Sequence, residues 1–96
     1  MFEWDAQPAA TNLRKHGVSF EEAATAFAYP EALDGPDLKH LEQENRFLRL
    51  ARSLPGRVLI VAYTLRGSGY DEKIRIISAR QASRKERAAY ASRSAD

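Results

Sequence analysis

A chain of 96 residues that is 44% hydrophobic can form one compact core and is too short for two, so we expect a single domain spanning residues 1–96. The absence of cysteine excludes disulfides and thiolate metal sites, and the lack of both a long apolar run and a signal-peptide pattern predicts a cytoplasmic protein without a membrane partner. Arginines and lysines accumulate towards the C-terminus, and this asymmetry, with a formal net charge of +2, points to an anionic partner.

The N-terminal part of the chain predicts a short edge strand followed by two helices. Residues 2–4 are apolar enough for the strand, and Asp5 can cap the start of a helix that Gly17 ends in a left-handed conformation. The stretch Ser19-Phe-Glu-Glu22 has the spacing of a capping box and opens a second helix, which extends until Tyr29-Pro30 stops it. The residues predicted to pack these helices onto a sheet are Leu13, Val18, Phe20, Ala23, Ala24 and Phe27.

Residues 32–45 give the weakest indication of secondary structure in the chain. They contain the turn signal Gly35-Pro36-Asp37 and then a polar, acidic passage around His40. We interpret this stretch as a loop with room for a short strand near Ala32 and Leu33, and we expect the His40 side chain to be solvated.

Three antiparallel strands are predicted in the second half of the chain. The first spans residues 46–52, and the second spans residues 57–65 after a tight turn at Leu54-Pro55-Gly56. The second strand is apolar along its length, as a central strand buried on both faces would be. A glycine-containing loop over residues 66–71 leads into the third strand, so the sheet is expected to be an antiparallel meander.

The third strand, which begins at Lys73, is expected to run directly into a basic C-terminal helix. Three β-branched isoleucines between positions 74 and 77 favour the strand, and Ser83 with Glu86 has the spacing of a capping box at the start of the helix. The predicted fold is α+β. An antiparallel sheet, made of the three-stranded meander and one or two short N-terminal strands, carries the two N-terminal helices and the C-terminal helix.

Arg80 stands where this last strand meets the helix. Arg84 and Lys85 occupy the first helical turn, where the helix dipole is positive and cations are mildly disfavoured. That arrangement suits a bound anion, because a phosphate there could accept hydrogen bonds from backbone N–H groups and from arginines together.

Several of these stretches resemble the BrnT-type toxins of bacterial type II toxin-antitoxin systems, within the wider RelE-like group of small ribonucleases. The resemblance runs nearly end to end. It rests on Phe2-Glu-Trp-Asp5, on Asn12-Leu-Arg-Lys-His-Gly-Val-Ser-Phe-Glu-Glu-Ala23, on Arg57-Val-Leu-Ile-Val61 with Thr64 and Arg66, and on Ile74-Arg-Ile-Ile-Ser-Ala-Arg80 with Glu86 and Tyr90.

The resemblance implies helices packed on an antiparallel sheet, and RNA cleavage that halts translation, with mRNA as the substrate either free or on the ribosome. It also implies neutralisation by a BrnA-like antitoxin, with which the toxin is expected to form a heterotetramer. Three positions depart from the pattern. Pro8 stands where the family often has a lysine, Tyr63 where it often has a histidine, and Ala51 where a glycine is common.

RNA cleavage requires activation of the 2′-OH, stabilisation of charge at phosphorus and protonation of the leaving 5′-oxygen. The carboxylates form no recognisable ligand pattern for two metal ions, so we expect a route without metal or cofactor. Arginine suits the charge-stabilising task because its planar fork holds two phosphate oxygens and stays protonated. The catalytic candidates are Arg80, Arg84, Tyr63 and Tyr90, and the candidates for binding RNA phosphates are Arg66, Arg75, Lys85, Arg87, Lys15 and His16.

Simpler structural roles are open for the same residues. Arg80 could pair with Glu86, and Lys15 and His16 could be ordinary charges at a helix end. Tyr63 and Tyr90 could serve only in packing. Two other functions also remain open on the sequence alone: a non-catalytic nucleic-acid binder, and a subunit whose basic face receives an acidic segment of the antitoxin.

Overall fold

A five-stranded mixed sheet forms the centre of the fold, which a computed structural model describes over residues 1–40 and 45–94. The strands are β1 (Phe2–Glu3), β2 (Leu33–Pro36), β3 (Arg46–Arg52), β4 (Val58–Arg66) and β5 (Lys73–Gln81). The helices are α1 (Ala6–His16), α2 (Phe20–Thr25) and α3 (Arg84–Ser94), and short 3-10 turns lie at Leu38–His40 and Gly69–Asp71. The order of strands across the sheet is β1-β5-β4-β3-β2.

The predicted meander of β3, β4 and β5 is confirmed, and β4 is its central strand. The prediction of a purely antiparallel sheet is wrong, because β1 pairs with β5 in parallel, Phe2 beside Ile74 and Glu3 beside Arg75. Two helices and three strands separate β1 from β5 in sequence, and no local pattern specifies the direction of such a long-range pairing.

The turn predicted at Gly35-Pro36-Asp37 is instead the end of edge strand β2, which pairs with β3 over four residues. The N–H of Asp37 points inward and donates to the Arg46 carbonyl at 3.0 Å. The nitrogen of the preceding residue, Pro36, therefore faces outward, where a missing N–H costs no ladder hydrogen bond. The acidic positions 41–44 of the predicted loop lie outside the described residues.

One face of the sheet, which carries Val61 and which we call the helix-covered face, packs against α1 and α2. The buried residues of this core are Val18, Phe20, Ala23, Ala26, Ala51, Leu59, Val61, Ile76 and Ala79. Leu13, predicted to be buried, is 50% exposed, and its neighbour Asn12 faces inward in its place. The Asn12 amide donates to the carbonyls of Val18 and Ala79 and accepts from the Ala79 N–H, so it satisfies backbone groups at the edge of β5.

The end of α1 and the start of α2 follow the sequence signals, whereas the end of α2 does not. Gly17 ends α1 with φ of 68°, as predicted. Ser19 caps α2 by accepting from the Glu22 N–H at 3.0 Å. However, α2 ends at Thr25, before the predicted stop at Tyr29-Pro30, because the N–H groups of residues 26–28 bond to carbonyls three residues back, as in a tighter 3-10 turn.

The opposite face of the sheet carries Ile60, and we call it the second face. Among the described helices, α3 packs against one end of it. There Tyr90 of α3 packs with Val58 of β4 and with Ala82, which lies between β5 and α3. Alternate residues of the strands point to this face and line it beyond the contact with α3.

Candidate active-site groove

A groove of about 520 Å³ lies on the second face of the sheet. Its walls come from the end of α1, the 3-10 turn Leu38–His40, the strands β3 to β5 and the beginning of α3. The titratable or permanently charged side chains that line it are His16, Asp37, Lys39, His40, Arg46, Arg80 and Glu86. Residues that are remote in sequence therefore meet in one concave site.

A β-bulge in β5 determines which side chains reach this face. Ala62 of β4 pairs with Ser78, whereas the next residue, Tyr63, pairs with Ile76. Ile77 is therefore an extra residue in β5 with no partner of its own in β4.

The bulge reverses the alternation of side chains along β5. Arg75 lies opposite Thr64, and Arg80 lies opposite Ile60. Thr64 and Ile60 are on the same face of β4, so both arginines are on the second face although their positions differ by five, an odd number. Without the bulge, one of the two would point to the helix-covered face.

Arg80 is held by two groups near the start of α3. Its Nη1 and Nη2 donate to the two carboxylate oxygens of Glu86 at 2.8 and 2.9 Å, and Nη1 also donates to the Gln81 carbonyl at 3.2 Å. The hydrogen bonds and charge of Glu86 raise the pKa of Arg80 further above its ordinary value. The Nε and Nη2 side of the guanidinium still has N–H groups that no described residue engages, and this edge can hold two oxygens of a phosphate.

The predicted capping box at the start of α3 is present, and its glutamate is the residue that holds Arg80. Glu86 Oε1 accepts from the Ser83 N–H at 2.7 Å, while Ser83 Oγ accepts from the Glu86 N–H at 3.1 Å. The hydrogen bonds from Arg80 lower the pKa of Glu86 to about 2, against the opposing effect of its burial. A carboxylate with that pKa is too weak a base to accept a proton near neutral pH.

His40 is not simply solvated, as the sequence suggested, but is paired with Asp37. His40 Nδ1 lies 2.9 Å from Asp37 Oδ2, and Arg46 Nε donates to the same oxygen at 3.0 Å. The Lys39 N–H approaches Asp37 Oδ1 at 3.3 Å. Burial acts against ionisation of Asp37, but the hydrogen bond from His40 and the other contacts outweigh it, so the Asp37 pKa is lowered.

Sequence reasoning missed Asp37 and Arg46 as groove residues. The only local signal is the spacing of Asp37 and His40, which places both on one turn of a 3-10 helix. Arg46 joins them because Asp37 pairs with it across the strands β2 and β3.

Tyr63, a catalytic candidate from the sequence, does not share a site with Arg80. It faces the helix-covered side, where its ring contacts those of Phe27 and Phe47 at centroid distances of 5.1 and 5.5 Å. Its hydroxyl donates to Asp34 at 2.7 Å, and burial together with this carboxylate raises the pKa of Tyr63 to about 12. Tyr63 therefore remains protonated and packed near neutral pH.

Tyr90, the other tyrosine candidate, lies in the interface between α3 and the sheet. It is buried against Val58 and Ala82, and its hydroxyl donates to the Glu31 carbonyl at 2.6 Å. These contacts give it a packing position outside the groove.

Arg66 and Arg75, predicted to bind phosphates, belong to an ion-pair network at the other end of the second face. Arg75 Nη1 contacts Glu3 at 2.8 Å and Nη2 contacts Asp5 at 2.6 Å, and Arg66 Nε lies 4.0 Å from Glu3. Hydrogen bonds from Asp5 and Glu3 raise the pKa of Arg75. Asp5 consequently makes no side-chain cap on α1, and Arg75 joins β1 and the start of α1 to β5.

Of the remaining candidates, His16 lines the groove, whereas the catalytic candidate Arg84 and the predicted phosphate contacts Lys15, Lys85 and Arg87 are not part of its lining. Arg84 and Lys85 are exposed in the first turn of α3, next to Glu86. Arg87 is exposed too, and its Nη1 donates to the Ala82 carbonyl at 2.8 Å. Lys15 and His16 are in the last turn of α1 and line a neighbouring depression that meets the groove at His16 and Ser78.

Within residues 1–40 and 45–94, no group of three or more His, Cys, Asp or Glu side chains is arranged to hold a metal ion. No helix in the same ranges is long and apolar enough to cross a membrane.

Comparison with known proteins confirms the resemblance found in the sequence. A family model described as the ribonuclease toxin BrnT of type II toxin-antitoxin systems matches residues 4–86. The 1.1 Å crystal structure of the Brucella abortus ribonuclease toxin BrnT shares the fold, with a TM-score of 0.66, 23% identity, and coverage of 88% of this chain and 99% of that one. No curated protein sequence matches significantly. Since the family model spans most of the chain, the protein belongs to the BrnT family of ribonuclease toxins of type II toxin-antitoxin systems.

Proposed function

We propose that this chain is itself an active endoribonuclease that cleaves RNA in the groove on the second face of the sheet, without a metal ion. The observation that carries the proposal is that the groove brings the unengaged edge of Arg80 together with both histidines of the chain. A guanidinium for the phosphate and imidazoles for proton transfer are the groups that metal-free RNA cleavage needs.

The character of the carboxylates in the groove supports the metal-free route. Asp37 is engaged by Arg46 and His40, and Glu86 is engaged by both outer nitrogens of Arg80. Each carboxylate thus already has a cationic partner, whereas divalent metal ions at phosphoryl-transfer sites need carboxylate oxygens that are free to coordinate them.

The basic residues around the groove support RNA as the substrate. Arg84 and Lys85 on one side and Lys15 on the other are exposed and can contact phosphates on either side of the cleavage site. Arg87 could extend this surface along α3. Such contacts bind any sequence, so they position the RNA and do not select bases.

Cleavage of mRNA by this groove would inhibit translation, and a BrnA-like antitoxin is the expected inhibitor. An acidic antitoxin segment that covers Arg80 and the basic residues beside it would both bind and inhibit. We propose a heterotetramer of two toxins and two antitoxins as the neutral complex. RNA binding without cleavage, or antitoxin binding alone, is the alternative function that the following experiment distinguishes.

The first prediction concerns Arg80→Ala. We expect purified protein, free of antitoxin, to cleave RNA or stop cell-free translation in the presence of EDTA. Arg80→Ala should lower the cleavage rate by about 10²- to 10³-fold, since it removes a main stabiliser of charge at phosphorus. The rate is measured by gel electrophoresis of labelled RNA, with ribosomes both present and absent.

The matched control is Arg52→Ala. Arg52 is also an exposed arginine of the sheet, but its Nη1 donates to the Gly56 carbonyl in the β3–β4 turn and it does not line the groove. Arg52→Ala should retain the wild-type rate. Intact RNA and normal translation at saturating wild-type protein would contradict the enzyme proposal, and RNA binding under those conditions would select the non-catalytic alternative.

A further inference from the structure

We propose that His40 is the general base of RNA cleavage, that Asp37 is its positioning residue, and that His16 is the general acid on the other side of the groove. This inference rests on the proposed ribonuclease function and assigns the proton transfers within it.

The carboxylate of Asp37 is held in a fixed position. Its side chain is only 4% exposed, and Arg46 Nε and the Lys39 N–H hold its two oxygens. A carboxylate that is fixed in this way presents Oδ2 to the imidazole of His40 in a defined orientation.

The contact with Asp37 determines which nitrogen of the neutral His40 imidazole carries the hydrogen. Its Nδ1 lies 2.9 Å from Asp37 Oδ2, so in the neutral imidazole Nδ1 carries the hydrogen and donates it to the carboxylate. The lone pair is then on Nε2, and the side chain is 40% exposed along the groove. A carboxylate that orients a histidine through Nδ1 prepares Nε2 to accept a proton and stabilises the imidazolium that results.

His16 lines the groove and is the candidate for the general acid. It lies in the last turn of α1, where the helix dipole favours positive charge, and it lines the same groove from the opposite wall. Among the described residues, the charged groups that line the groove with the two histidines are Asp37, Lys39, Arg46, Arg80 and Glu86. Asp37 and Glu86 are each paired with an arginine, so a protonated His16 is the proton donor that remains on that wall.

The reaction that follows is balanced in protons and bonds. His40 Nε2 takes the proton of the 2′-OH, and O2′ forms a bond to phosphorus while Arg80 holds the non-bridging oxygens. The bond between phosphorus and O5′ breaks, and O5′ takes the proton of His16. The products are a 2′,3′-cyclic phosphate and a 5′-hydroxyl, and the two histidines have exchanged their protonation states.

The test compares two synthetic oligoribonucleotides that differ only at the leaving atom. One has the natural 5′-oxygen, and the other has a bridging 5′-sulfur, which leaves as a thiolate and needs no acid. On the oxygen substrate, His40→Gln and His16→Gln should each lose about 10²- to 10⁴-fold in rate. On the sulfur substrate, His16→Gln should recover to near the wild-type rate, whereas His40→Gln should remain slow.

Asp37→Asn tests the positioning role. The amide should lower kcat with little change in KM. It should also shift the acidic limb of the pH profile, which the general base His40 produces and which a purely structural role would not move. Binding of a 2′-deoxy oligonucleotide that cannot be cleaved, together with circular dichroism, checks that each variant keeps its fold and its RNA affinity.

The outcomes separate this inference from the proposed function. If wild-type protein cleaves neither substrate, both are overturned. If wild-type protein cleaves RNA and His40→Gln keeps its rate, or recovers on the sulfur substrate, only the assignment of His40 is overturned. Should the variants fail to fold, the wild-type profile decides. Two histidines that act in opposite protonation states give a bell-shaped dependence of the rate on pH, and a rate that does not depend on pH contradicts the inference.

Discussion

At the scale of single residues, Glu86 links the start of α3 to the chemistry of the groove. Its carboxylate accepts from Ser83 N–H and, at the same time, from two nitrogens of Arg80. The sequence predicted the capping box, and it offered the ion pair with Glu86 as the structural alternative to a catalytic role of Arg80. The structure contains both contacts. Because the pair leaves one edge of the guanidinium unengaged, orientation of Arg80 is compatible with phosphate binding.

We predict that Glu86→Gln lowers kcat by about tenfold or more, as loss of a residue that orients a catalytic group commonly does. The amide keeps the size of the side chain but replaces one acceptor oxygen with a donor, so Arg80 loses its fixed orientation. Ser83→Ala is the matched comparison. It removes only the hydroxyl half of the capping box, which should cost about 1 kcal/mol of stability and leave the rate unchanged.

Steady-state kinetics of both variants measure kcat, and urea denaturation measures their stability. An increased rate in Glu86→Gln would instead mean that Glu86 competes with the phosphate for Arg80. Equal losses of activity in Glu86→Gln and Ser83→Ala would mean that the effect comes from fraying of α3.

At the scale of elements, the joint between α1 and β5 places His16 beside the second face. The Asn12 side chain makes three hydrogen bonds there, to Val18 O and to both backbone groups of Ala79. It acts in place of a neighbouring strand, because β1 pairs with β5 only at Ile74 and Arg75. A polar residue thus occupies the inward position that hydrophobicity alone had assigned to Leu13.

We predict that Asn12→Ala lowers the free energy of unfolding by about 2–4 kcal/mol, because it leaves buried backbone donors and acceptors without partners. Leu13→Ala, at the adjacent exposed position, should change it by less than about 0.5 kcal/mol. Urea denaturation followed by circular dichroism measures both. A larger loss for Leu13→Ala than for Asn12→Ala would contradict the orientation of α1 described above.

At the scale of the whole molecule, ion pairs that hold carboxylates in their charged form make stability depend on pH. Glu22 accepts from Arg57 and Ser53, joining α2 to the turn between β3 and β4, and the hydrogen bond from Arg57 lowers the Glu22 pKa despite the opposing effect of burial. The pKa values of Asp37 and Glu86 are lowered as well, that of Glu86 to about 2. The folded state therefore binds fewer protons than the unfolded chain in acid.

We predict that the melting temperature is constant at neutral pH, begins to fall as the pH drops below the ordinary carboxyl pKa of about 4.5, and keeps falling to about pH 2. The sign follows from the lowered pKa values, because stabilisation present above the unfolded pKa is lost as the folded pKa is approached. Thermal melts across this range test the prediction. Glu22→Gln should melt lower at neutral pH and show a shallower acid slope, and an unchanged slope would contradict the role assigned to Glu22.

The sequence by itself determined the features that depend on near neighbours in the chain. The left-handed cap at Gly17, the capping box of Ser83 and Glu86, and the bounds of β3 at residues 46–52 all match the structure, because spacings of a few residues specify them. The family was also readable, since its motifs are local stretches of sequence.

Only the tertiary structure decided which residues share a site. The parallel pairing of β1, the bulge at Ile77 and the meeting of His16 with His40 depend on contacts between distant segments, which no local spacing encodes. The bulge is the sharpest case, because one extra residue reverses the alternation of β5 and places Arg80 on the second face. Tyr63 lies on the opposite face because side chains alternate along β4, so the sheet itself separates Tyr63 from Arg80.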